Sequence, residues 1–161
     1  MAQYDDHIKQ AKRNLVFLSN INNNITDCID WQVTTCFYTA VHLVNAHLSK
    51  FALQYRNHTD VKDALNPENQ LSLTKLPESE YIAYIKLQSL SRRSRYLVEE
   101  GDRNLNATQA FITYDKHLGK AIRHLNILII YFSTKYTTEF DTINLRCDSL
   151  IHSELHYINK I

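Results

Sequence analysis

Apolar residues recur at helical rather than strand spacing along most of the chain, which predicts about five to six helices. In the first, Ile8, Ala11, Leu15 and Leu18 form one stripe over about Gln3 to Ile21, and the run Asn22-Asn23-Asn24 predicts the turn that ends it. The second helix takes Thr26, Asp27 or Asp30 as its cap and reaches about Phe51. After a connection from Ala52 to Arg56, Asn57-His58-Thr59-Asp60 sets a capping residue ahead of an acid and opens a short helix through about Leu65, which Asn66-Pro67 closes. The polar stretch from Glu68 to Thr74 reads as the most mobile connection. Leu76-Pro77-Glu78 begins a fourth helix that runs to Glu100, with Gly101 at the position of a left-handed cap. A long helix from about Thr108 to Tyr136 repeats Phe111, Tyr114, Leu118, Ala121, Ile122, Leu125, Leu128, Ile129 and Phe132 on one face. A weaker pattern through Phe140, Ile143, Cys147, Leu150 and Ile158 predicts a docked terminal helix.

The second helix carries two contrasting faces. At helical pitch Trp31, Thr35, Tyr38, His42 and Asn45 fall within roughly 80°, while Val33, Phe37, Ala40, Val44 and Leu48 gather on the other side. A helix whose outer face only met water would show Lys, Glu or Gln there. Aromatic, hydroxyl, imidazole and amide groups instead point to a semi-buried polar surface facing a groove or a partner. A second stripe answers it on the helix after Pro77, where Tyr84, Gln88, Ser91 and Arg95 share about 60° of arc with Tyr81 and Arg92 flanking, and Leu87, Leu90, Leu97 and Val98 mark the core side. If these helices are neighbours, the two stripes face each other across a shared groove. The tyrosines fit equally well as packing residues whose hydroxyls reach water.

Composition narrows the class. With 161 residues, 44% of them hydrophobic and 22% charged, the chain can bury one good core, which predicts a single domain over residues 1–161. Only two glycines and two prolines leave little turn chemistry for a sheet-rich fold, so the expected class is all-α, an up-and-down helical bundle. Lys and Arg total 18 against 17 for Asp and Glu, so any nucleic-acid surface must be local. Cys28, Cys36 and Cys147 lack metal-ligand spacing and favour reduced thiols in the cytoplasm. The first residues show no leader pattern, and no apolar run of membrane-spanning length occurs. His152 and His156 stand one turn apart without a third ligand at a known spacing, and Gly101 and Gly119 are isolated, so neither a metal site nor a phosphate loop is expected.

The order Trp31-x-x-Thr-x-x-Phe-Tyr38-x-Ala-x-His42, then Arg56-Asn-His58, then Ser91-Arg92-Arg93-Ser94-Arg95-Tyr96 resembles one branch of the HEPN domains, the higher eukaryotes and prokaryotes nucleotide-binding family. The resemblance covers about Asp27 to Gly101. It implies a helical bundle, frequently a homodimer, that needs no metal or cofactor. In many members it implies an endoribonuclease of toxin or defence type, whose partner is then an antitoxin protein. Catalytic members carry an Arg with a His about four to six residues further along. Here that spacing occurs at Arg146-Cys-Asp-Ser-Leu-Ile-His152, and about one such match is expected by chance in a chain of this composition.

Cleavage of RNA requires a base for the ribose 2′-hydroxyl, a cation for the pentavalent phosphate and an acid for the leaving oxygen. His58 and Arg95 are the candidate catalytic pair. His58 stands in the first turn of a short helix, where the macrodipole disfavours the imidazolium and keeps a neutral base. Arg56 and Arg92 are candidate phosphate contacts, and Trp31, Tyr38 and Tyr84 candidate stacking platforms for unpaired bases, with His42, Gln88 and Ser91 completing the binding set. Two readings stand side by side: an RNA- or nucleotide-binding protein with or without nuclease activity, and a non-catalytic interaction or dimerisation module using the same stripe. Each histidine also fits a plain role, His58 near a cap and His42 in the core bonded to Tyr38.

Overall fold

The computed structural model describes residues 2–25, 27–98, 110–151 and 155–161. Its described elements, in order, are α1 (Tyr4–Asn24), α2 (Ile29–Ser49), α3 (His58–Leu65), α4 (Glu78–Tyr96), α5 (Asp115–Tyr136), β1 (Ile143–Leu145) and β2 (Ile158–Lys160). The result is a mostly helical bundle, as the apolar periodicity predicts. Helix α2 is its centre and packs on α1, α4 and α5, while α4 also packs on α5. This explains why Val33, Phe37, Ala40, Val44 and Leu48 are all wholly buried. Helix α1 contributes Ile8, Ala11, Leu15, Leu18 and Ile21 to the core, and α5 contributes Leu118, Ala121, Ile122, Leu125, Leu128, Ile129 and Phe132. Burying one such Leu, Ile or Phe side chain contributes about 1.5–3 kcal/mol. No helix among the described residues is long and apolar enough to cross a membrane. The thiols of Cys28, Cys36 and Cys147 are all free.

Several boundaries differ from those the pattern predicts. Helix α1 ends at the asparagine run, but only at its last residue, Asn24, so the three asparagines form the final turn rather than a turn beyond it. Asn22 donates from Nδ2 to Gln32 Oε1 at 2.8 Å and to the Arg146 carbonyl at 2.9 Å, and Asn23 donates to the Asn144 carbonyl at 3.0 Å. These bonds to distant chain hold the last turn in helical form. Helix α2 begins after Cys28 rather than at a Thr26, Asp27 or Asp30 cap, and ends at Ser49; Thr26 itself lies outside the described residues. Helix α4 stops at Tyr96, with Leu97 in the left-handed region at φ 56° accepting the cap role expected of Gly101. Gly101 and the predicted start of the long helix at Thr108 lie outside the described residues. Helix α5 begins only at Asp115, so Phe111 and Tyr114 precede it.

The terminal helix is replaced by a two-stranded parallel sheet, in which Ile143 pairs with Ile158 and Leu145 with Lys160. The expected apolar residues are buried all the same, from Phe140 at 8% exposure to Ile158 at 1%. Ile143 and Leu145 alternate with exposed Asn144, a two-residue period too short to register against helical spacing. The connection from Glu68 to Thr74 is stitched to α3: Asn69 donates to the Asp63 carbonyl at 2.9 Å and Thr74 to the Ala64 carbonyl at 2.9 Å.

Candidate nucleic-acid interface

The outer arc of α2 is what its inner arc leaves over. Trp31 is 63% exposed and Tyr38 is 40% exposed, while His42 and Asn45 are half-buried. Thr35, predicted on the same stripe, is buried, and its hydroxyl donates to the Trp31 carbonyl at 2.7 Å, the usual alternative to a solvent contact for a threonine within a helix.

Two other elements arrive beside Tyr38. The Asn57 side chain accepts from the Asp60 N–H at 2.8 Å, which caps α3 and sets His58 in its first turn. The His58 ring lies 5.4 Å from that of Phe37, the core residue next to Tyr38. From the last turn of α4, the Arg95 guanidinium reaches over Tyr38, 5.9 Å from its ring centre, and over Tyr96 at 5.0 Å. The Arg95 Nε donates to the Ser91 carbonyl at 3.4 Å, a long bond that orients the guanidinium along α4. Partial burial, then the Arg95 charge, hold the His58 imidazole below its ordinary pKa. A neutral imidazole, a guanidinium and two open aromatic rings therefore share one surface at the junction of α2, α3 and α4.

Of the other predicted binding residues, Tyr84, Ser91 and His42 do not open onto this surface. Tyr84 and Ser91 point into the core with no exposed surface, and neither hydroxyl has a hydrogen-bond partner among the described residues. Helix α4 is gripped between α2 and α5, so its inward arc is wide enough to take in both polar positions together with Ala83 and Leu87. In this arrangement Tyr84 packs at 5.9 Å against Phe37 and is closed to a stacking base, and burial pushes its hydroxyl pKa up. Leu97 and Val98, expected on the core side, are exposed beyond the helix end. His42 turns toward α1, where its Nδ1 lies 3.2 Å from Nδ1 of His7, rather than bonding Tyr38. Burial and then the neighbouring His7 lower its pKa. Arg56 and Arg92 are exposed, and Gln88 is half-buried. Among the described residues the two stripes meet at Tyr38 and Arg95.

Two contributors escaped the sequence reading. Phe37 registers only as core, yet it is the plate behind His58; its adjacency to Tyr38 was the available sign. His7 sits in the first helix, and nothing local links it to His42. Arg146 donates its backbone N–H to Asn22 Oδ1 at 2.6 Å, and its spaced partner His152 lies outside the described residues. Among the described residues no group of three or more His, Cys, Asp or Glu side chains is placed to hold a metal ion. Comparison of the chain with protein-family models, curated proteins and solved structures gives no match in any of the three.

Proposed function

We propose that this chain is a HEPN-like helical protein that binds single-stranded RNA at the α2–α3–α4 junction and cleaves it without a metal. The observation that carries this reading is the convergence of His58 and Arg95, from separate helices, beside the exposed Tyr38 ring. An unpaired base stacks on Tyr38 while the following phosphate meets Arg95. His58, kept neutral by partial burial and by Arg95, takes the proton from the ribose 2′-hydroxyl. The 2′-oxygen then attacks phosphorus, the bond to the 5′-oxygen breaks, that oxygen takes up a proton from water, and the His58 imidazolium returns its proton to the hydroxide so formed. The products are a 2′,3′-cyclic phosphate and a 5′-hydroxyl. Arg95 stabilises the charge on the pentavalent phosphate. In such a family setting the active form is a homodimer, restrained by an antitoxin-type protein.

The test is incubation of the purified chain with single-stranded RNA in a chelator. Cleavage should fall at least about 100-fold in His58→Ala and in Arg95→Ala, the range for loss of a general base or a charge stabiliser. Removing Arg95 should also raise the His58 pKa, read from its ring proton signals, because a lowering charge is gone. Intact RNA together with no salt-sensitive gel shift would overturn the reading. A second reading, an interaction module, is favoured by Trp31, 63% exposed two turns before Tyr38, since exposed Trp and Tyr are enriched at the energetic centres of interfaces. Dimerisation or partner binding lost in Trp31→Ala, with RNA untouched, would select it.

A further inference from the structure

A second cluster lies on the opposite side of α4, where its Lys86, Ser89, Leu90 and Arg93 face His117, Lys120 and His124 of α5 around a cavity of about 220 Å³. Six of these seven side chains can donate hydrogen bonds or carry positive charge, and no carboxylate among the described residues lines the cavity. Lys86 and Lys120 have exposed stems, and neither has a hydrogen-bond or ion-pair partner among the described residues. Arg93 is aimed by its own backbone contacts: Nε and Nη2 donate to the Ile112 carbonyl at 3.2 and 3.0 Å, and the guanidinium rests 5.2 Å from the Phe111 ring centre.

The histidines extend the same chemistry inward. His117 is only 8% exposed, and its Nδ1 accepts from the Tyr114 N–H at 2.9 Å. That bond fixes the neutral tautomer with the proton on Nε2, leaving an N–H donor for the cavity. His124 Nδ1 is buried with no hydrogen-bond partner among the described residues. Burial first, and then the surrounding cations, lower the pKa of both rings: Arg93, Lys116 and Lys120 act on His117, and Lys86, Lys120 and Arg123 on His124.

Like charges gathered around a small concavity repel one another, and a fold tolerates such a conflict where a ligand relieves it. We propose that this α4–α5 cavity is a binding site for a small multiply charged oxyanion, a phosphate or diphosphate group. Its volume is below the roughly 300–1,000 Å³ of pockets that enclose drug-sized ligands, so the site holds the anionic group and leaves any attached body outside. Lys86, Arg93 and Lys120 supply charge, and Ser89 and His117 Nε2 supply neutral donors that fix orientation. Helical pitch sets Lys86, Leu90 and Arg93 about half a turn away from Arg95, so this site stands apart from the junction proposed to bind RNA.

The experiment titrates the full chain with inorganic diphosphate at low salt, following the His117 and His124 ring signals and the heat of binding. Saturable binding is expected, with both rings shifting, and Lys86→Gln/Lys120→Gln should weaken it at least 10-fold. The double variant Lys9→Gln/Lys75→Gln removes the same charge from exposed positions elsewhere and should leave affinity within 2-fold. Equal weakening in both pairs, or no saturation, would overturn the proposal by reducing the effect to general charge. A nucleoside diphosphate binding as well as inorganic diphosphate marks the free anion as sufficient, whereas tighter binding marks an attached group as the physiological source; either supports the site. Should single-stranded RNA alone shift these rings while diphosphate does not, the small-anion assignment falls.

Discussion

Protonation of His47 should set how this fold fails in mild acid. His47 is 1% exposed at the inner end of α2. Its Nε2–H donates to the Thr74 carbonyl at 3.0 Å, so its Nδ1 is the acceptor for the Tyr136 hydroxyl. The neutral ring thus ties α2 to α5 and to the connection before α4. Burial depresses its pKa from 6.5 to about 4, against a partial opposing effect of the Thr74 bond. Between these values the unfolded chain binds a proton at this residue and the folded chain does not. Stability contributed by the neutral ring is therefore full above pH 6.5 and declines as pH falls toward 4. Linkage puts the loss between pH 7 and pH 5 at about 2 kcal/mol, out of about 3 kcal/mol for the whole interval. Urea unfolding of the wild type and His47→Gln at both pH values measures it. The variant should lose about 2 kcal/mol less than the wild type over this range. His7, His42, His58, His117 and His124 also have lowered pKa values, but they are present in both proteins and cancel in the difference. Equal losses in the two proteins would refute the assignment.

Gly119→Ala should destabilise the chain by about 1–2 kcal/mol, because overpacking outweighs the better helix propensity of alanine. A Cβ there would meet Ser149, whose Cβ lies 3.3 Å away and whose hydroxyl donates to the Asp115 carbonyl at 3.1 Å. A raised Tm in thermal unfolding would contradict this. Asn57→Ala removes the α3 cap and should cost about 1 kcal/mol. Hydrogen exchange should then accelerate first at the α3 amides; uniform acceleration along the chain would argue against a local cap.

The helical class and most of the core were legible because a buried helix face leaves a long apolar repeat. The stripes through Ile8 to Leu18 and Leu118 to Phe132 span enough turns to declare themselves, and Asn57 with Asp60 is a complete local cap signal. The outer arc of α2 was readable in part for the same reason, since Val33, Phe37, Ala40, Val44 and Leu48 mark the inner arc, although the buried Thr35 shows that a polar position can also turn inward. For the candidate junction, His58, Arg95 and Tyr38 were visible as residue types but not as neighbours.

What the chain alone determined is therefore whatever depends on contacts within a few turns: the identity of α1 to α5, the apolar faces of α1, α2 and α5, and the start of α3. Tertiary structure decided the rest. Asn22 and Asn23 stay helical only because β1 and its flank accept their side-chain bonds, and Ile143 becomes strand only because Ile158 arrives beside it. Tyr84 and Ser91 are sealed because α4 is held from two sides, and Gly119 is required only where Ser149 presses on α5. Such pairings join residues far apart in the chain, and local periodicity carries no record of which distant segment will fill the remaining face.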